Sequence, residues 1–379
     1  MKITNISFYI ITIVTVLFSC KPNGETQEAV CVNLENAEAI DDYKDIIAKQ
    51  EIIELSNVDG AYMAGYRRLF VSDSVYLFTT KSRILYLFDS DGNFISNSSK
   101  RIGNGNKEYP ILLGATYNKY SGNVEVLTPF GIMFYDRKFN YVGRSKYSDK
   151  EAKLQMFNYV YDLSSHEHIL LSPLAMNDKE SYIYIYDSKE NKIVHKAKYE
   201  KDCPFITMQV QCVSDGNFIA FPCMNYSFYD IDLNNYELKK CVSFDLGDKM
   251  LKESDYSHFS DEHQLKEFLS NDCKKSLALR TFKSGNRIVS MVRSGSEMAD
   301  AKTYIVDLNN AKSRYLKYQY EKIKIPVFEA FNNGVLYTCV TESSLEQYVD
   351  MDLLDEKSKE ILTRRSEESN YYIIKYYLK

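Results

Sequence analysis

The chain has 379 residues, of which 45% are hydrophobic, 26% charged and 14% aromatic; this excludes a disordered polymer or collagen-like repeat and leaves a body able to bury a sizeable core. A net charge of −5 gives no electrostatic case for nucleic acid or an anionic membrane surface as a partner. With 32 Tyr, 20 Phe and no Trp against 15 Gly and 7 Pro, β-propensity is high and turns must be built largely from Asn, Asp and Ser.

At the N-terminus, Lys2 precedes an apolar run from Ile3 to Phe18 that ends in Leu17-Phe18-Ser19-Cys20. The run is short for a span of roughly 20 residues and lacks a basic stop, so residues 1–19 read as a signal peptide. Leu17 and Ser19 before Cys20 resemble the lipobox of bacterial lipoproteins, with Phe18 where a smaller residue is usual. The resemblance implies that Cys20 is acylated, becomes the new N-terminus and anchors the protein in a membrane. Residues 20–49 then form the lipidated cysteine and tether, with linker composition from Lys21 to Glu28, and residues 50–379 the folded body. Seven cysteines remain: Cys31, Cys203, Cys212, Cys223, Cys241, Cys273 and Cys339. Their spacing is irregular and contains no C-x-x-C, which favours free thiols over disulfides and gives no zinc pattern.

An apolar strand ending in Asp recurs five times, at Leu85–Asp89, Ile132–Asp136, Ile183–Asp187, Phe228–Asp232 and Thr303–Asp307. The Asp residues lie 47, 51, 45 and 75 positions apart. The long interval contains a charged stretch, 248–275, whose Leu265, Phe268 and Leu269 fall at helical spacing, as expected of an insertion. Two further strand-like runs precede several copies: 68–72 with 74–79, 113–117 with 123–128, and 209–213 with 217–222. Four antiparallel strands repeating at 45–50 residues predict β-propeller blades, with a β-sandwich as the alternative. A sixth unit, from 326–331, 334–341 and 371–378, lacks an outer strand, which Glu51–Ser56 supplies to close the ring. The expected fold is all-β, a six-bladed propeller.

The body resembles the six-bladed β-propeller lipoproteins of Gram-negative envelopes. The resemblance rests on the strand pair Tyr66–Leu77, the hairpin Leu87–Phe94 and the linker Arg101–Tyr109. In that linker Gly103, Gly105, Glu108 and Tyr109 match G-x-G-P-G-E-Y, while Asn106 and Lys107 replace Pro and Gly. It implies lipid anchoring to the outer membrane, facing the periplasm or the cell surface, and makes the linker the expected binding surface. Arg101, Asn104, Lys107, Glu108 and Tyr109 would supply donors, acceptors and a ring to a glycan, a peptide or an envelope protein; the opposing reading is a blade-packing loop.

Other motifs carry less chemistry. Asp89-Ser90-Asp91-Gly92-Asn93 has calcium-like alternation but reads as a hairpin turn. His166 and His168, at i and i+2, would share a strand face, yet the expectation is a solvated hairpin tip, and no metal site or cofactor is expected. His258 and His263 would face different directions. No G-x-S-x-G, P-loop, dinucleotide or H-E-x-x-H motif occurs. Among the expected inner strands only Glu329 is a carboxylate, whereas acid/base hydrolysis needs two. Glu342–Asn370 carries nine acids against four bases, and Leu345, Val349 and Leu353 suggest a helix over about 342–368. The functional expectation is a non-catalytic ligand-binding or scaffolding lipoprotein, with a propeller hydrolase or lyase acting on glycans as the alternative.

Overall fold

The computed structural model describes residues 29–155, 157–171, 180–200, 213–214, 217–220, 226–259, 263–264, 267–268, 274–294, 300–366 and 368–379. Their strands form six antiparallel blades. Blade 1 comprises Arg68–Val71, Val75–Thr79, Leu85–Asp89 and Phe94–Asn97; blade 2 comprises Gly114–Asn118, Asn123–Thr128, Gly131–Tyr135 and Tyr141–Lys146. Blade 3 comprises Tyr159–Asp162, Glu167–Leu171, Glu180–Asp187 and Lys192–Glu200; blade 4 comprises Val213–Ser214, Phe218–Ile219, Ser227–Ile231 and Leu238–Asp245. Blade 5 comprises Ser276–Ser284, Arg287–Ser294, Ala301–Asp307 and Lys312–Lys317. In blade 6, Ala330–Asn332, Val335–Val340 and Tyr372–Leu378 are completed by Ile47–Glu54.

The repeated Asp has a physical role. Asp89, Asp136, Asp187, Asp232 and Asp307 each accept the backbone N–H two residues ahead, with N···O distances from 2.7 to 3.0 Å. The carboxylate thus substitutes for a backbone acceptor and turns the chain into the outer strand. A left-handed residue follows in each hairpin: Gly92, Phe139, Asn191, Tyr236 and Ala311. The Asp89 motif is therefore a turn, one of five alike.

Ring closure follows the expected route. Ile47–Glu54 pairs antiparallel with Tyr372–Leu378 over Tyr372↔Glu54 to Leu378↔Ile47, burying Ile47, Ile52 and Ile374 in one apolar cluster. The chain before this strand departs from the expected tether. Val30–Asn33 adds a parallel fifth strand to blade 4, and Glu38–Ala39 adds one to blade 5. Val32 and Leu34 are buried there. Residues 30–54 thus run along the outer edges of three consecutive blades and cover strand edges that would otherwise be open.

The acidic C-terminal segment folds as two short helices, Glu342–Leu345 and Glu356–Arg364, in place of one continuous helix. Asp355 caps the second through the Ser358 amide. Leu345 and Val349 are buried; of the acids, Glu342 and Glu346 pair with Arg365 within the segment, while Asp350 and Asp352 pair with Lys44 near the other end of the chain, where Arg364 also pairs with Glu54. In 248–275 a helical turn spans Glu253–Tyr256, and Phe268 packs near Phe259; Leu265 and Leu269 lie outside the described residues. Cys31, Cys241 and Cys339 are free thiols; Cys20, Cys203, Cys212, Cys223 and Cys273 lie outside the described residues. Among the described residues, no helix is long and apolar enough to cross a membrane.

Candidate ligand-binding cavity

Each blade hands the chain back to the start of the next inner strand, so all inner strands run the same way along the axis. Between them lies a cavity of about 710 Å³, lined by inner-strand residues of blades 1 to 6 and their flanking turns. This is the size of a small-molecule site. Its wall carries Arg67, Arg68, Lys119 and Arg280 together with Tyr117, Tyr120 and Tyr161. Arg68 stacks on Tyr159 at 4.4 Å, and Lys119 lies 5.3 Å from the centre of the Tyr120 ring. No hydrogen bond or ion pair engages the charged groups of Arg67, Arg68 or Lys119 among the described residues.

The acids on the same wall are already engaged. Asp73 accepts from Asn332 and Asn333 at 2.9 and 3.2 Å. Glu329 accepts from the Tyr66 hydroxyl; burial pushes its carboxyl above the usual range, against the pull of the nearby Arg280. Asp162 accepts from Thr116 Oγ1 at 3.3 Å and lies 3.3 Å from His168 Nδ1. Behind it, Glu125 accepts from Asn118 Nδ2 at 2.9 Å, and burial together with Asp162 raises its carboxyl well above the usual value.

The expected loop lies elsewhere. It runs from blade 1 to blade 2 and is drawn together by a bridge between its own residues Ile102 and Tyr109. Tyr109 is 0% exposed, sits edge-to-face on Tyr135, and shares its hydroxyl with Ser98 Oγ and the Arg83 carbonyl. Arg101 Nε donates to the Phe139 carbonyl at 2.6 Å. Glu108 Oε2 accepts from the Gly105 amide at 3.0 Å, and a Cβ on Gly103 would stand 2.1 Å from it. The two glycines thus make room for this carboxylate. Arg101 and Tyr109 tie the loop to blades 1 and 2, Glu108 bonds within the loop to Gly105, and Asn104 and Lys107 are exposed. Asn104 and Glu108 also line a cleft of about 260 Å³ beside Phe130 and Arg144.

Glu329 is the one carboxylate expected from the sequence on an inner strand; the inner strand of blade 3, Tyr159–Asp162, brings a second, Asp162, to the cavity. His166 and His168 do not share a site: His168 joins Glu125 and Asp162, whereas His166 lies in the preceding turn with Glu167 and Asp187. Apolar Ile169–Leu171 after His168 marked a buried strand and was the available signal that His168 points inward. Gln209–Gln211, expected on the inner strand of blade 4, lie outside the described residues.

A crystal structure of a "Putative exported protein" from Bacteroides fragilis NCTC 9343 is 14% identical, with a TM-score of 0.68 over 92% of this chain and 100% of the other. A DUF4221 family member from Bacteroides vulgatus ATCC 8482 is 10% identical, with a TM-score of 0.53 over 88% of this chain and 97% of the other. Both likenesses concern the fold. No curated protein matches the sequence. The DUF5128 family, described as a 6-bladed beta-propeller, matches residues 23–325, and the chain belongs to that family.

Proposed function

We propose that the protein is an exported, lipid-anchored binding propeller whose axial cavity takes a small polar ligand bearing a carboxylate or comparable anion, such as an acidic saccharide. The observation that carries this reading is the imbalance on the wall: Asp73, Asp162 and Glu329 accept hydrogen bonds from neighbouring side chains, while Arg67, Arg68 and Lys119 line the cavity with no hydrogen bond or ion pair to their charged groups among the described residues. A carboxylate would satisfy them with charge-assisted hydrogen bonds, and tyrosines offer faces to a sugar ring. A glycan hydrolase or lyase receives less support, because the three acids come from blades 1, 3 and 6 and each is engaged internally.

Lipidation at Cys20 would leave nine residues before Val30, a reach of at most about 30 Å. The chain enters its strand on blade 4 from the side of the outer hairpin turns. The opposite face, with the 98–113 linker, would then point away from the membrane. Titration calorimetry with uronate-containing and neutral oligosaccharides tests the binding reading. Binding of the acidic series alone, weakened at least tenfold by Arg68→Ala, is expected; equal binding of both series or indifference to Arg68→Ala overturns it.

A further inference from the structure

Glu125, Asp162 and His168 converge from two blades. Glu125 lies on the second strand of blade 2 beside Thr116, and Asp162 pairs with His168 across the first two strands of blade 3. His168 Nδ1 is 3.2 Å from Glu125 Oε2 and 3.3 Å from Asp162 Oδ1; the side chains of His168 and Glu125 are 0% exposed and that of Asp162 7%. Each carboxylate is steadied from outside, Glu125 Oε1 by Asn118 Nδ2 and Asp162 Oδ2 by Thr116 Oγ1. Their other oxygens turn towards the same nitrogen. Glu125 Oε2 is buried and accepts no hydrogen bond, an expensive arrangement for a carboxylate atom unless something else meets it.

Two acceptor oxygens about an imidazole nitrogen at these separations match the edges of a coordination polyhedron with bonds of about 2.0–2.2 Å. Outer hydrogen bonds from Asn118 and Thr116 are what orient such ligands. Asp162 and Thr116 also line the axial cavity, which provides a route in and a side from which water can complete the shell. We propose that Glu125 Oε2, Asp162 Oδ1 and His168 Nδ1 bind a divalent transition cation of the zinc or manganese kind between blades 2 and 3. The imidazole favours such a cation over calcium, which prefers oxygen donors alone. The cation joins two blades and adds positive charge behind one wall of the cavity; its binding does not require the cavity to hold another ligand.

The test uses the full-length protein, stripped with chelator and titrated with zinc or manganese chloride, with metal content measured after gel filtration and melting followed in parallel. One equivalent of zinc or manganese per chain is expected, with a higher melting temperature. Glu125→Gln and His168→Asn should each weaken binding at least tenfold, while His166→Asn, outside the set, should not. Thr116→Val removes only the outer hydrogen bond to Asp162; a loss of about tenfold or more there keeps the test decisive if the buried variants do not fold. Failure of wild type to retain an equivalent, preference for calcium, or undiminished binding in folded Glu125→Gln and His168→Asn or in Thr116→Val overturns the proposal.

Discussion

Tyr66, in the segment leading into blade 1, donates its hydroxyl hydrogen to Glu329, at the threshold of blade 6, across 263 positions of sequence. The pair stands where the ring closes. Tyr66 also reaches the Cys339 carbonyl at 3.1 Å and packs edge-to-face on Phe78 and Tyr371.

Burial raises the Glu329 carboxyl, opposed by Arg280 and the Tyr66 hydroxyl, so the fold favours its protonated form. This stabilising contribution is complete below the unfolded value of about 4.3 and is lost as pH rises through the higher folded value. Urea unfolding across this range should show wild type losing stability relative to Glu329→Gln as pH rises. Parallel curves would contradict the assignment.

Gln50 fastens the closing strand to the acidic segment. Its side chain is wholly buried, accepts from the Asp350 amide at 2.7 Å and donates to the Tyr348 carbonyl at 3.0 Å. Gln50→Leu retains bulk but orphans both groups, and a loss of about 3 kcal/mol in unfolding free energy is expected. A change below about 0.5 kcal/mol would show that the strand is held without them.

Gly92 shows why the Asp89 motif is structural. Its φ is +86°, and a Cβ would stand 2.4 Å from the Glu54 carbonyl oxygen, while its own carbonyl accepts from the Ser56 amide at 2.9 Å. Gly92→Ala should therefore push blade 1 off the closing strand and cost about 2–4 kcal/mol. Unchanged thermal and chemical midpoints would show that the close approach is not needed.

Tyr109→Phe separates packing from binding at the interblade loop. It removes a hydroxyl held by Ser98 and Arg83, so a loss of about 1–2 kcal/mol is expected with no change in affinity at the axial cavity. Reduced ligand affinity with unchanged stability would instead favour the loop as the binding surface.

Architecture was legible because it is repetitive: the Asp that ends each third strand is also the acceptor that makes the next turn, so one interaction left five copies in the sequence. The strand additions at Val30–Asn33 and Glu38–Ala39 were missed because four and two residues are too few to show a period. The cavity was only partly legible. Glu329 lies within an expected inner strand, but Glu125 and His168 face a neighbouring blade, and their meeting with Asp162 depends on packing between units 46 residues apart in Thr116 and Asp162. The acidic segment invited one helix; Asp350, Asp352 and Asp355 instead bind Lys44 and Lys49, within residues 30–54, contacts between chain ends that no local pattern records.

Where an acidic ligand sits is tested most directly by a crystal structure of the protein soaked with a uronate-containing oligosaccharide. A carboxylate within hydrogen-bonding distance of Arg67, Arg68 or Lys119 inside the axial cavity is expected. Ligand bound instead in the cleft beside Asn104 and Glu108, with the axial cavity holding only solvent, would contradict it.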